Sequence, residues 1–433
     1  MTTQESIRAH LDQDYGKPIR DPLWKHIYLS EGLLALINTP PLQQLSRIKQ
    51  LGPAYQVYPG ATHTRLAHSL GVFAIAKRIV AALLRYPDSF PADLEGVKAF
   101  LSAALLHDLG HFPYAHSLKE LPLAEHEALG AEMIMETPLA DIIKEQVGTD
   151  PRAVAAIIDP DQDSMHDPQI VFFRRILSGP LDPDKLDYLN RDAYFCGVPY
   201  GVQDIDFILS RIRPHRDMGL ALHSSGISAI ENLLFSKYLM YRAVYWHRTV
   251  RVATAMIKKA LYPALAQNAV TPSDLYHLDD ELFFQKFTAR TYPSFELIER
   301  VAARNHYRVL HDEAFPADGV DTNLSSDLEL RTQAEALLAE TITPPGASPI
   351  PPEAVIIDVP EAVSFEVQLP VLHDGEVVAY PQSDTVFTPQ VVADFTRTLR
   401  RLRVIVDPAY DVQPGRVAAA LREIGPRLRA VGA

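Results

Sequence analysis

From Ser30 to Tyr262 apolar residues recur every three or four positions, broken by proline and glycine, which predicts a succession of helices and no cleanly alternating strand. One helix is expected to begin near Thr62 or Thr64 and to run through LAHSLGVFAIAKRIVAALL to about Arg85, with Pro87 closing it. A second covers Leu94 to Leu109, and its FLSAALL stretch is apolar enough to be buried on nearly all sides. A third spans about Pro122 to Glu136. Asp182 before Pro183 is an N-cap with an N1 proline, and Gly197 with Pro199 is a stop, so residues 183–196 form a bounded helix. A longer amphipathic run extends from Ile227 to about Leu261.

The helical pattern weakens toward Glu340, and Pro344, Pro345, Pro349, Pro351 and Pro352 then exclude a helix. Beyond them AVIIDV, FEVQL, EVVAY and RVIV read as short strands around a helix near 389–402, followed by a basic helix near 415–429. The expected fold is mainly α: a helical domain over 1–340, a proline-rich linker over 341–352 and a small α+β module over 353–433.

The chain has 433 residues, 47% apolar and 22% charged, so disorder cannot dominate. No run approaches the roughly 18 consecutive apolar residues that span a bilayer, and the polar start carries acids where a leader would need apolar residues. A cytoplasmic location without membrane contact is expected. Lys and Arg number 41 against 54 Asp and Glu, a net charge of −13, which repels nucleic acid and requires a local basic pocket for any anionic substrate. Cys196 is the single cysteine, so a metal would have to be held by histidines and carboxylates.

The segment HDLGHFPYAH carries the most chemistry. Four His-Asp dipeptides occur, at 107/108, 166/167, 311/312 and 373/374, and only the first ends an apolar helix. There an unpaired carboxylate is costly and a cation compensates it; a helix C-terminus followed by an Asp turn is the plainer reading. Arg65 and His68 lie three apart, with His68 in line with Val72, Ile75 and Ile79, as a ligand or as a satisfied core histidine. In DPDKLDYLNRD, Asp184, Tyr188, Arg191 and Asp192 share one face, functional or merely solvated, while Leu186, Leu189 and Ala193 form another. Taken together, His68, His107, Asp108 and Asp184 offer two imidazoles and two carboxylates, a set suited to Mn, Fe, Co or Zn with positions left for water and a phosphate oxygen.

GATHTRLAHSLGV, LLHDLGHFPYAHS, AEHEALG and DPDKLDYLNRD, in that order, resemble the HD-domain metal-dependent phosphohydrolases, and among them most the deoxynucleoside triphosphate triphosphohydrolases, over about residues 20–265. The resemblance implies a helical HD bundle, without room for a SAM domain ahead of it, holding one divalent ion (Mn, Fe, Mg, Co or Zn) on His68, His107, Asp108 and Asp184. A second Mg would accompany the nucleotide. It implies catalytic roles for His126, with Glu127 tuning it, and for His111, and places His116 beside the phosphates and sugar. Arg65, Lys185 and Tyr188 would contact the triphosphate, Asp192 the sugar 3′-hydroxyl, Gln50 and Leu51 the sugar and base, and Tyr245 the deoxyribose. Lys237 stands where the family usually has an arginine on the γ-phosphate, a point charge in place of a bidentate fork.

The implied reaction is water attack at the α-phosphate of a deoxynucleoside triphosphate, giving deoxynucleoside and triphosphate, with His126 protonating the departing 5′-oxygen near neutral pKa. Another phosphoester substrate, a monophosphate or a guanosine polyphosphate, or a nucleotide-binding regulatory role, are the competing readings. Homo-oligomerisation is implied too. In INTPPLQQLSRIKQ, Asn38 and Ser46 stand where guanine-activated members carry an acid and an arginine, with Gln43 kept, so activation of that kind is not expected. Lys237, Arg242, His247, Arg248 and Arg251 line one stretch and could equally form a solvated face.

Overall fold

The computed structural model describes residues 2–431 apart from 87–88, 163–166, 317–321 and 366. The expected stop at Pro87, and His166 of the His166–Asp167 dipeptide, therefore fall on residues outside those described. Three helices form the centre. Arg65–Leu83 starts where the Thr64 hydroxyl accepts the Ala67 N–H, and Leu94–Leu106 starts on Asp93, whose carboxylate accepts from Gly96 at 2.9 Å. Pro183–Cys196 starts on Asp182 and ends at Gly197, which takes the left-handed conformation (φ 67°) that glycine adopts without cost.

The helix Arg65–Leu83 packs against both others. Gly71 permits this closeness, since a Cβ there would lie 1.9 Å from Asp187 Oδ1 and 2.4 Å from Arg191 Nη2. By length and composition Arg65–Leu83 could cross a membrane, with a mean hydropathy of 1.5. Its apolarity instead serves the core: Ser69 to Phe73 are consecutively buried, so protein surrounds the helix. Phe100 stacks on Phe173 at 4.6 Å, both wholly enclosed, and truncating such a ring costs about 3–5 kcal/mol.

The long run after Ile227 is not one helix. Ile227–Met240 leads into a wide turn over Tyr241–Tyr245, and His247 then caps a new helix, Arg248–Ala266. Tyr241, Tyr245 and Trp246, at the break, line the cavity described below. Among the described residues a hairpin joins β1 (Lys17–Asp21) to β2 (Lys25–Leu29). β3 (Ile212–His215) and β4 (Gly219–His223) pair antiparallel inside the stretch expected to be wholly helical.

β5 (Arg308–Ala314) and β6 (Val355–Asp358) flank β9 (Arg401–Val406), and β7 (Pro370–His373) runs parallel to β4 with β8 (Glu376–Ala379) at the edge. The fold is mainly α with small sheets, as expected. The boundary at 341–352, however, separates neither sheet. β9 is buried from Leu402 to Val406 and needs a neighbour on both sides; one of them, β5, comes from before the prolines. β7 likewise completes a sheet begun in the helical region. FEVQL is not a strand in its described residues: pairing begins at Pro370, a first-residue position that suits proline. Residues 360–364, ahead of it, lie against the helix Ile227–Met240, where the Ser364 carbonyl accepts from Lys237.

Candidate metal centre and its cavity

His68 stands one turn inside its helix and is buried. Its Nδ1 lies 2.8 Å from Asp187 Oδ2, which directs Nε2 toward Asp184 Oδ1 at 2.9 Å and Asp108 Oδ2 at 4.0 Å. His107 caps the Leu94–Leu106 helix and donates from Nδ1 to the Ala104 carbonyl at 3.0 Å. That leaves its Nε2 3.4 Å from Asp108 Oδ1 and 3.9 Å from Asp184 Oδ1, buried and without a hydrogen-bond partner. Ligand atoms of His68, His107 and Asp184, from three segments, thus lie within 4.8 Å of one another, with Asp108 beside the two imidazoles.

The donors fit a divalent ion. Two carboxylates beside two imidazole nitrogens, one of them an orphan, form a set that demands a cation. Burial alone would lower the His68 pKa, but hydrogen bonds to Asp184 and Asp187 outweigh it and raise it to about 10. Asp184 resists its own burial through His68 and falls to about 2. A proton on His68 is the simplest cation this cluster can recruit.

The outer carboxylate was not legible as functional. Asp187 accepts from Arg191 Nε at 2.7 Å and Nη2 at 2.9 Å and from the Trp24 indole, while Arg191 Nη1 reaches Asp21 at 2.8 Å. Arg191, seven residues on from Asp184 and on the same side of the helix as expected, is wholly buried rather than solvated, because positions 187 and 191 stack at i, i+4 against Gly71. Ligand histidines usually hand their second nitrogen to such a carboxylate, which fixes the ring and its tautomer. Arg65, expected on the triphosphate, binds Asp108 Oδ2 at 2.8 Å through Nη1, and His111 Nδ1 lies 3.1 Å from Asp108 Oδ1. His111, Arg65, His107 and His68 together hold Asp108 far below the carboxylate range despite its burial.

Beside the ligands sits a second group of imidazoles. His111 Nε2 is 3.0 Å from His116 Nε2, the His111 and His126 rings are 3.8 Å apart, and His126 Nδ1 lies 3.0 Å from Glu127 Oε2. Gly110 makes the packing possible: a Cβ there would lie 2.1 Å from the His126 carbonyl oxygen. Enclosure, then His116 and Arg65, push His126 down to about 2; enclosure, Arg65 and Lys119 take His116 to about 4; and enclosure, Arg65 and the two other imidazoles hold His111 well below its usual value. The near-neutral pKa expected of His126 is not found, since enclosure and the neighbouring His116 outweigh the upward pull of Asp108.

The centre opens onto a cavity of about 760 Å³. His68, His107, Asp108 and Asp184 form part of its wall, with Gln50, Leu51, Arg65, His116, His126, Glu127, Lys185, Tyr188, Asp192, Lys237 and Tyr245. His111 is not part of that wall; it sits behind Asp108. Lys185 is paired with Asp182, its own N-cap, and donates to the Gly179 carbonyl at 3.1 Å. Lys237 donates to the Ser364 carbonyl at 2.8 Å and lies 5.3 Å from the Phe365 ring centroid, so its ammonium is engaged by the C-terminal segment. Asp192 accepts the Tyr245 hydroxyl at 2.7 Å.

Other wall residues escaped the sequence: Lys49, Lys119, Tyr241 and Pro360–Ser364. Tyr241 could have been found, for it is spaced four residues from both Lys237 and Tyr245. Arg251 and Lys258 also reach the wall, but as ion pairs with Asp358 and Glu120. Arg242 donates to the Tyr238 hydroxyl at 3.0 Å and Arg248 to the Val309 carbonyl at 2.8 Å, away from the ligands.

Known proteins resemble this chain in sequence and fold. The HD domain matches residues 65–178 and the HD associated region residues 204–418, so Asp184 falls between the two matched stretches. An uncharacterized protein of Methanocaldococcus jannaschii is 36% identical over 298 residues, 68% of this chain and 59% of its own length. The human deoxynucleoside triphosphate triphosphohydrolase SAMHD1 is 29% identical over 297 residues, 60% of this chain and 46% of that protein. The chain thus spans about half to three fifths of these relatives. A solved structure of a hypothetical protein from Aquifex aeolicus is 27% identical with a TM-score of 0.68, over 96% of this chain and 99% of that one. With HD and HD-associated matches that together run through most of the sequence and the paired ligands standing where three helices meet, the chain belongs to the HD-domain family.

Proposed function

We propose that the protein is a metal-dependent phosphohydrolase that cleaves deoxynucleoside triphosphates into deoxynucleoside and triphosphate. The observation that carries this is the cluster of two imidazoles and two carboxylates in the wall of a cavity that also presents Arg65, Lys185 and, farther along, the Asp192 carboxylate. The name of the human relative supports the substrate class. A divalent ion on His68, His107, Asp108 and Asp184 would supply Lewis acidity at a phosphate oxygen and acidify a water.

The chain's own groups do the rest. Arg65 keeps Asp108 ionised and turned to the ligand point, and Asp187 does the same for the His68 ring. Lys185, now neutralised by Asp182, exchanges that partner for phosphate oxygens. Glu127 holds Nδ1 of His126 and leaves Nε2 free. A polyanion beside His126 opposes the enclosure and the neighbouring imidazole that lower its pKa, so binding itself loads the proton that Nε2 then gives to the departing 5′-oxygen. Asp192, an acceptor only when ionised, suits a sugar hydroxyl.

A shorter phosphoester is the second reading, favoured by the engagement of Lys237 with Ser364, which leaves the far end of a triphosphate without that cation. Incubating the protein with each dNTP, and separately with an aryl phosphate, in Mn or Mg distinguishes the two. Triphosphate as the sole inorganic product supports the first reading; orthophosphate from the aryl ester, with no turnover of any dNTP, overturns it.

A further inference from the structure

Between residues 63 and 68 the chain reaches three carboxylates in succession. His68 meets Asp184, Arg65 meets Asp108, and His63, which the sequence did not mark, meets Asp192: its Nε2 lies 2.8 Å from Asp192 Oδ1. His63 is enclosed, its ring stacked on Phe195 with centroids 4.7 Å apart and planes at 21°. Its carbonyl accepts the Gln50 N–H at 3.0 Å, which ties it to a residue of the cavity wall. The Nδ1 atom is buried with no partner.

A carboxylate is acceptor-only, so His63 carries its proton on Nε2 and donates it. An imidazole kept only to fill space would have both nitrogens satisfied or none buried; this one leaves Nδ1 orphaned in order to hold Asp192. The two oxygens of Asp192 then differ. Oδ1 is fixed by an enclosed ring, while Oδ2 meets the Tyr245 phenol, whose hydroxyl rotates and which itself lines the cavity. A ligand hydroxyl can take the place of that phenol at Oδ2 only while Oδ1 keeps the carboxylate in position.

We propose that His63 is a positioning residue that fixes Asp192 as the receptor for a sugar hydroxyl, and so sets discrimination between substrates that carry this hydroxyl and those that lack it. This rests on the nucleotide reading above. A charge-assisted hydrogen bond of this kind corresponds to about tenfold or more in affinity.

The test compares dGTP with 2′,3′-dideoxyGTP in two ways: kcat/KM with Mn, and calorimetric affinity in a chelator, where turnover stops. Wild type is expected to favour dGTP by about tenfold or more in both. His63→Phe, which keeps the stacking but donates nothing, brings the ratio toward one, and His63→Gln, which restores a donor at similar reach, recovers most of it. A His63→Phe protein that keeps the wild-type ratio overturns the proposal. So does an equal loss on both nucleotides with a lowered Tm, which marks a structural role, and so does a wild type that binds the two alike. If calorimetric discrimination follows His63 while no triphosphate is ever released, the proposed reaction falls and the role of His63 stands.

Discussion

Two groups of imidazoles sit side by side in this cavity and answer to opposite electrostatics. His68 and His107 face Asp108, Asp184 and Asp187, so negative charge exceeds positive and His68 holds its proton up to about 10. His111, His116 and His126 have one another, Arg65, Lys119 and part of Asp108 for company, with Glu127 beside His126, and enclosure keeps them neutral, with His126 down to about 2. The same side chain becomes a cation site in one place and an empty proton acceptor a few ångströms away. What decides is the number of carboxylates that each group can reach.

The comparison breaks most completely if a carboxylate is removed from the first group. Asp184→Ala should lose bound metal by elemental analysis and at least about a thousandfold in turnover, because several kcal/mol of charge stabilisation go with the ion. The second group should behave otherwise. His126→Ala should keep its metal and its Tm while kcat falls about 10²- to 10⁴-fold, the usual contribution of a positioned acid or base. Loss of metal in His126→Ala would make the two groups one site.

Much of the first group was legible and less of the rest, for a physical reason. The helix Pro183–Cys196 carries its start and stop in Asp182, Pro183 and Gly197, and His107–Asp108 stands out because it ends an apolar run; both are local signals. Asp187 and His63 act across 119 and 129 residues of sequence, and nothing in their immediate neighbours marks them. The burial of Arg191 was not legible, because helical periodicity gives the face it shares with Asp184 but not whether that face is enclosed. The sheets were half-read, since a strand such as β9 shows its own apolarity yet not that one partner lies some 90 residues upstream. The engagement of Lys237 with Ser364 depends on the irregular segment 360–364, which has no periodicity to read.

A smaller change sharpens the difference. Asp187→Asn leaves all four ligands in place but removes the charge behind His68. Metal affinity should weaken about 10- to 100-fold, measured by titration against a competing chelator, with Arg191 still anchored on Asp21. An unchanged affinity would mean that Asp187 serves Arg191 alone.

The smallest effect is the dependence of stability on pH, where the two groups should act in opposite windows. His126 folds with a pKa near 2 against about 6.5 unfolded, so the unfolded chain binds the extra proton and stability falls as pH drops below 6.5. His111 has the same sign. His68 folds with a pKa near 10, so its stabilisation is complete below 6.5 and is lost as pH climbs toward 10. The metal-free protein should therefore show a Tm maximum flanked by both losses. Adding Mn puts an ion where the His68 proton was and should flatten the alkaline side only, whereas His126→Ala should flatten part of the acid side only. A Tm profile in which Mn reshapes the acid side instead would assign the cation to the wrong histidines, and the contrast between the two groups would have to be redrawn around His111, His116 and His126.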